Sequence, residues 1–390
     1  MNAKNRRKFR WWHKLLGVAL SLTLCGFALE ATLRVAGVST PTATVLGTFF
    51  QYDPQTGWSG RPNASAQFQT ASFSALTTHD ADGLRRCGLP SRIVDDGSRA
   101  ERMCWVLGDS TTWGWGVKDD EHFVALLNQS SPPNVRYRNL GVPGFSTIQQ
   151  YHRLAALLER GYRPDAVVVC FNNNDHSDNQ MLVDPDPPRP YARVEEEKVR
   201  FFDPPVGRSF ELEVGSFLRR HSLSVSFVSY HLQRVRAARR MAKMAQRESS
   251  RDTREPRRDD EATTQRTEAE RRSPVDDAPP QAELVYRESL QRLQQLCERE
   301  RIELAVATEF AADPKVLDAC RDLGVRVFDM SRPYRRRLDS SDGGETLYFA
   351  YDPHINAAGH RLFASALQDE LRAWLPDWHS DAPRIRLARP

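Results

Sequence analysis

A serine hydroxyl becomes a useful nucleophile only when a base takes its proton and a further group holds that base in place. This 390-residue sequence offers such parts in separate runs. Leu107-Gly108-Asp109-Ser110 sets a serine directly behind an apolar run that ends in glycine. Near the other end, Tyr351-Asp352-Pro353-His354-Ile355-Asn356 sets a carboxylate two residues from an imidazole. Residues i and i+2 of an extended segment point the same way, so Asp352 can reach His354, fix its tautomer and stabilise the imidazolium. Two runs between them carry donors: the loop Asn139-Leu140-Gly141-Val142-Pro143-Gly144-Phe145-Ser146-Thr147 and the carboxamide-rich Asn172-Asn173-Asn174-Asp175-His176. Backbone N–H groups and a side-chain amide aimed at one point stabilise the anion of a tetrahedral intermediate. Together these parts fit acyl transfer through a seryl ester. Each run alone has a plainer use, as a helix cap or a turn.

The elements that must position them decide between these uses. Apolar, β-branched runs at 103–107, 135–140 and 166–171 predict strands, and apolar spacing of i, i+3, i+4 predicts helices at 122–129 and 147–160. The pattern resumes with a helix at 282–300, a strand at 302–307, a helix at 314–323, a strand at 325–330 and a last helix at 357–374. Strands alternating with helices imply an α/β fold, a doubly wound, mainly parallel sheet of flavodoxin-like type. Ligands in such sheets bind beyond the carboxyl ends of the strands. Three successive strands would therefore deliver a serine, a glycine loop and an asparagine run to one rim.

Taken together, Gly108-Asp109-Ser110, Gly144, Asn174 and Asp352/His354 resemble the four blocks of the SGNH/GDSL hydrolases, in that family's chain order. The likeness covers roughly residues 104–175 and 302–375. It implies that Ser110 is the nucleophile, His354 the general base and Asp352 its partner. It also implies an oxyanion hole made by the Ser110 amide, Gly144 and the Asn174 side chain. Asn172 stands where the family's third block usually begins with glycine, and Asn174-Asp175 matches that block better than the alternative register on Asn173. The run from Gly108 to Val117, the segment 52–58 and the Asp-x-His spacing resemble a membrane-anchored, extracytoplasmic subgroup that modifies polysaccharides.

The rest of the chain sets the context. Lys4, Arg6, Arg7, Lys8, Arg10 and Lys14 precede an apolar run at 15–29, the pattern of a signal anchor. With the basic flank kept inside, residues beyond about 36 are expected outside the cytoplasm, periplasmic or extracellular. Residues 37–100 read as an accessory segment of short strands and turns. Residues 101–180 and 281–378 read as the catalytic domain. They are separated by an insertion at 181–280, partly helical and then charged and disordered. Lys+Arg 55 nearly cancel Asp+Glu 51, leaving +4 overall, so no nucleic-acid partner is expected. The six cysteines show no metal-ligand spacing, and neither a metal nor an organic cofactor is implied.

The expected function is a serine esterase removing acyl groups, with acetyl as the candidate, from an extracytoplasmic ester such as an acylated glycan. Two alternatives stay open. One is an O-acetyltransferase with the same triad acting on an extracytoplasmic polysaccharide. The other is a non-catalytic glycan-binding protein with a decayed site.

Overall fold

In this computed structural model, residues 3–36, 48–70, 72–87, 102–180, 189–204, 218, 222–225, 227–228, 280–310, 314–339, 346–350 and 352–378 are described. Helix α1, Ala3–Val35, carries the apolar stretch Trp11–Val35, whose 25 residues suffice to cross a membrane. Trp12, Leu16, Leu22 and Phe27 all stand exposed along it. Its last turns touch other residues, where Leu33 is buried and Glu30 accepts bonds from Ser222, Leu223 and Ser224. It is the one helix long and apolar enough to cross a membrane among the described residues.

Two antiparallel hairpins follow, β1 Phe50–Asp53 with β2 Gly57–Gly60 and β3 Ser65–Gln69 with β4 Ser74–Thr78. The chain then enters the main sheet with β5 Arg102–Leu107, α2 Ser110–Trp113, α3 Phe123–Gln129, β6 Val135–Asn139, α4 Thr147–Glu159, β7 Ala166–Phe171 and α5 Asp175–Asp178. A hairpin, β8 Tyr191–Glu195 with β9 Lys198–Phe202, interrupts it. The sheet resumes through α6 Pro280–Glu300, β10 Glu303–Thr308, α7 Pro314–Leu323, β11 Arg326–Phe328, α8 Ser331–Asp339 and α9 Ala357–Trp374.

The five main strands are all parallel, in the order β11-β10-β7-β5-β6. All six residues of β7 are buried, as a central strand covered on both faces must be. Side chains alternate between two apolar layers. Cys104, Val106, Val168 and Cys170 meet α3 and α9 through Phe123, Leu127, Phe363 and Leu367. Trp105, Leu107, Val167 and Val169 meet α4 and α6 through Leu154, Leu157, Leu290 and Leu293. This order places the reversal of winding between β5 and β7, the point at whose carboxyl strand ends such sheets bind ligands. Ser110 and Asn174 follow those two strands.

The structure adds to the expected elements in the insertion, where residues 191–202 form a hairpin. It packs on α6 through Ala192 and Val285, together with Ile148. The charged stretch proposed as disordered, up to residue 279, lies outside the described residues. Strand β11 stops at Phe328, short of the expected 330, and α8 begins only at Ser331. All six cysteines are free thiols, and Cys104 and Cys170 are buried in their strands.

Three buried histidines tie the accessory hairpins and α9 to the site loops. His79 receives the Trp113 indole N–H on Nε2 at 2.9 Å, and its Nδ1 lies 3.2 Å from the Arg61 carbonyl. His122 accepts the Ala125 N–H on Nδ1 at 3.2 Å, with Nε2 at 2.8 Å from the Arg86 carbonyl. Burial, and then the Arg85 charge, push both imidazoles down to about 3. Burial holds His360 well below its usual range as well. These groups are neutral when folded and protonate when unfolded near pH 6.5, so their contribution is complete above that pH and falls away toward pH 3. In urea unfolding followed by tryptophan fluorescence, His79→Gln should flatten the loss of stability between pH 6 and 4 by up to about 1.4 kcal/mol per pH unit. Parallel slopes for the two proteins would show that His79 is not held neutral.

Candidate active site

Ser110 opens α2 directly after β5. Asp109 caps that helix, its Oδ1 accepting the Thr111 N–H at 3.0 Å. The capping role and the serine's presentation are thus compatible: the aspartate closes the helix end and the next residue stands at the strand rim. The Ser110 Oγ lies 2.7 Å from Nε2 of His354. On the other side of the ring, Nδ1 lies 2.5 Å from Asp352 Oδ1. An ionised carboxylate can only accept, so Nδ1 carries the proton and the Nε2 lone pair faces the hydroxyl.

Asp352 reaches His354 through a local turn and not through an extended segment. Its Oδ1 also accepts the His354 backbone N–H at 3.0 Å, an Asx-type turn that fixes carboxylate and imidazole at once. Trp115 completes this corner, with its indole N–H donating to Asp352 Oδ2 at 3.1 Å. Its ring stacks on His354 with centroids 5.0 Å apart. Burial pushes the Asp352 carboxyl up, but the bonds from His354 and Trp115 outweigh it and leave the carboxyl below its usual range. Asn356 caps α9 by accepting the Ala358 and Gly359 N–H groups, which anchors the loop just beyond His354.

The second strand end is the loop after β6. The Asn139 side chain donates to the Thr112 carbonyl at 2.7 Å and accepts the Gly141 N–H at 3.0 Å. Gly141 packs so closely on α2 that a Cβ there would lie 2.4 Å from the Trp113 nitrogen, so the position excludes side chains. Gly144 has φ +75°, the region glycine enters without strain.

The third strand end follows β7. Asn172 donates its amide to Asp109 Oδ2 at 2.8 Å, so the residue in place of the expected glycine braces the floor beneath the serine. Asn174 Nδ2 donates to Asp178 Oδ2 at 2.6 Å. Asp178 pairs with the buried Arg189 at 3.5 Å, and Arg189 Nη1 donates to the Gly144 carbonyl at 3.0 Å. The Asn173 Oδ1 is buried and meets no donor among the described residues.

Several carboxyls share this floor. Burial and the neighbouring Asp109 carboxylate push Glu309 up to about 8. Its Oε1 accepts the Thr111 hydroxyl at 2.8 Å. Burial also raises Asp109, opposed first by the Thr111 N–H, and it raises Asp178 against the charge of Arg189. Residue spacing could not expose Trp115, Asp178, Arg189 or Glu309 as neighbours of the site, since each arrives from a different element. Trp115 alone had a signal, lying in the Gly108–Val117 run.

The model of the GDSL-like lipase/acylhydrolase family matches residues 106–362. No curated protein matches the sequence. Among solved structures, an α/β hydrolase from the Lake Arreo metagenome is 14% identical, with a TM-score of 0.36 over 69% of this chain and 94% of that one. A putative lipolytic protein of the G-D-S-L family from Desulfitobacterium hafniense is 11% identical, with a TM-score of 0.34 over 68% and 98%. A catalytic mutant of an acetylxylan esterase from Geobacillus stearothermophilus is 13% identical, with a TM-score of 0.34 over 70% and 94%.

Proposed function

The chain belongs to the GDSL-like lipase/acylhydrolase family and is a hydrolase, and from that premise we propose that it is a serine esterase working through Ser110, His354 and Asp352. The observation that carries the proposal is the continuous line of contacts from Ser110 Oγ to His354 Nε2 at 2.7 Å and from His354 Nδ1 to Asp352 at 2.5 Å. As Ser110 Oγ attacks the ester carbonyl, His354 Nε2 takes its proton, and Asp352, held by Trp115, stabilises the imidazolium. The carbonyl oxygen becomes an oxyanion that receives the Ser110 and Gly144 N–H groups and the Asn174 amide. Collapse expels the alcohol, protonated by His354, and leaves an acyl-serine. Water, deprotonated by the same imidazole, then releases the acid.

The helix Trp11–Val35, with its basic flank, supports a single-pass topology with the hydrolase outside the cytoplasm. An acylated glycan is the substrate class that fits this side of the membrane and the Asp-x-His spacing. The test is incubation of the purified, detergent-solubilised chain with an aryl acetate, with and without a sugar acceptor. Acetate released at equal rates in both arms is the expected result. Acetylated sugar formed at the expense of acetate would make the chain a transferase, and no turnover in either arm would remove the esterase reading. A C-terminal reporter active only outside the cytoplasm should be active, and a silent one would reverse the topology.

A further inference from the structure

The run Tyr52-Asp53-Pro54-Gln55-Thr56-Gly57-Trp58 takes no part in the chemistry above, yet it is built against the glycine loop of the site. Asp53 Oδ1 accepts the N–H groups of Gln55 and Thr56 at 3.0 and 2.9 Å, closing the turn between β1 and β2. Gln149 Nε2, at the start of α4, donates to the Thr56 carbonyl at 2.7 Å. The Trp58 ring meets Phe145 edge-on with centroids 5.6 Å apart, and its Nε1 donates to the Pro143 carbonyl at 3.1 Å.

The acceptor of that last bond gives it a consequence. Val142-Pro143-Gly144-Phe145 is a turn closed by the Phe145 N–H on the Val142 carbonyl at 3.0 Å. Proline second and glycine third at φ +75° are the marks of a type II turn. Types I and II differ chiefly by rotation of the central peptide, here the one joining Pro143 to Gly144. Glycine allows both signs of φ, so the turn's residues do not by themselves forbid the rotation. The Gly144 carbonyl is pinned separately by Arg189, which leaves the central peptide as the free joint. A trans peptide points its C=O and N–H in opposite directions. Holding Pro143 O therefore fixes where the Gly144 N–H aims, and no group among the described residues accepts that N–H.

We propose that Trp58 is a positioning residue of the oxyanion hole: its indole N–H locks the Pro143–Gly144 peptide in the orientation that offers the Gly144 N–H to the developing oxyanion. The inference rests on the esterase reading and gives the accessory hairpin a role in that reaction. Trp58→Phe keeps an aromatic ring against Phe145 and beneath the Arg189 guanidinium, which lies 5.4 Å from the Trp58 ring centroid, while removing the indole donor. On aryl acetate, with the full chain in detergent, kcat should fall roughly 10–100-fold while KM stays within about twofold, since the donor is engaged chiefly in the transition state. Rates are expressed per serine titrated to completion with a fluorophosphonate, so that misfolded protein does not imitate the effect. Ser110→Ala is run alongside. An unchanged kcat in Trp58→Phe, or a raised KM at unchanged kcat, with Ser110→Ala inactive, overturns the role of Trp58 and leaves the esterase reading standing. Full activity in Ser110→Ala overturns both.

Discussion

Ser110→Ala is expected to abolish aryl-ester turnover, a loss of roughly 10³–10⁶-fold in kcat, and to abolish labelling by a fluorophosphonate. The change removes one partly exposed hydroxyl from the first residue of α2. Asp109 still accepts the Thr111 N–H, so the cap and the fold should persist, with an unfolding midpoint close to that of the parent. His354→Ala should be about as severe, because nucleophile and base act as a unit and their losses do not add. Asp352→Asn should cost less, since a mis-oriented imidazole and the oxyanion hole remain. Near-normal activity in a folded Ser110→Ala protein, on a substrate the parent turns over, would end the serine mechanism proposed here.

Asn174→Ala is expected to lower kcat by roughly 10²–10³-fold with little change in KM, as loss of one donor to a developing oxyanion does. Its amide is oriented by Asp178 at 2.6 Å, and Asp178 keeps Arg189 as a partner after the truncation. That remaining pair should spare the fold the cost of an unpaired buried carboxylate. Asn173→Ala should be tolerated, because the Asn173 Oδ1 meets no donor among the described residues. The reverse pattern, with Asn173→Ala damaging and Asn174→Ala harmless, would shift the third block by one residue.

The strands and helices around the site were legible because they are strongly periodic. Strand β7 is an unbroken apolar run, and α9 begins at Ala357 as its apolar spacing placed it, with Asn356 as the cap. Strand β11 was overextended, since Val325 and Met330 are buried like strand residues although they flank a three-residue strand. The 191–202 hairpin was missed inside a proline-rich stretch with no clear alternation, and it holds its place by packing on α6.

Sequence alone determined which residues could carry the chemistry, because nucleophile, base and acid lie in short runs whose chemical types are recognisable without a fold. It also determined that alternating strands and helices build a parallel sheet with these runs at one rim, whereas the order β11-β10-β7-β5-β6 was settled by the pairing of the folded strands. Tertiary structure decided how those groups are held. Asp352 is fixed by an Asx turn and by Trp115 from another loop, Asn174 by Asp178 and Arg189, and the Gly144 peptide by Trp58 on the accessory hairpin. A hydrogen bond between residues 85 apart, or 237, depends on backbone paths that no local pattern encodes, so these supports became visible only once the chain was folded.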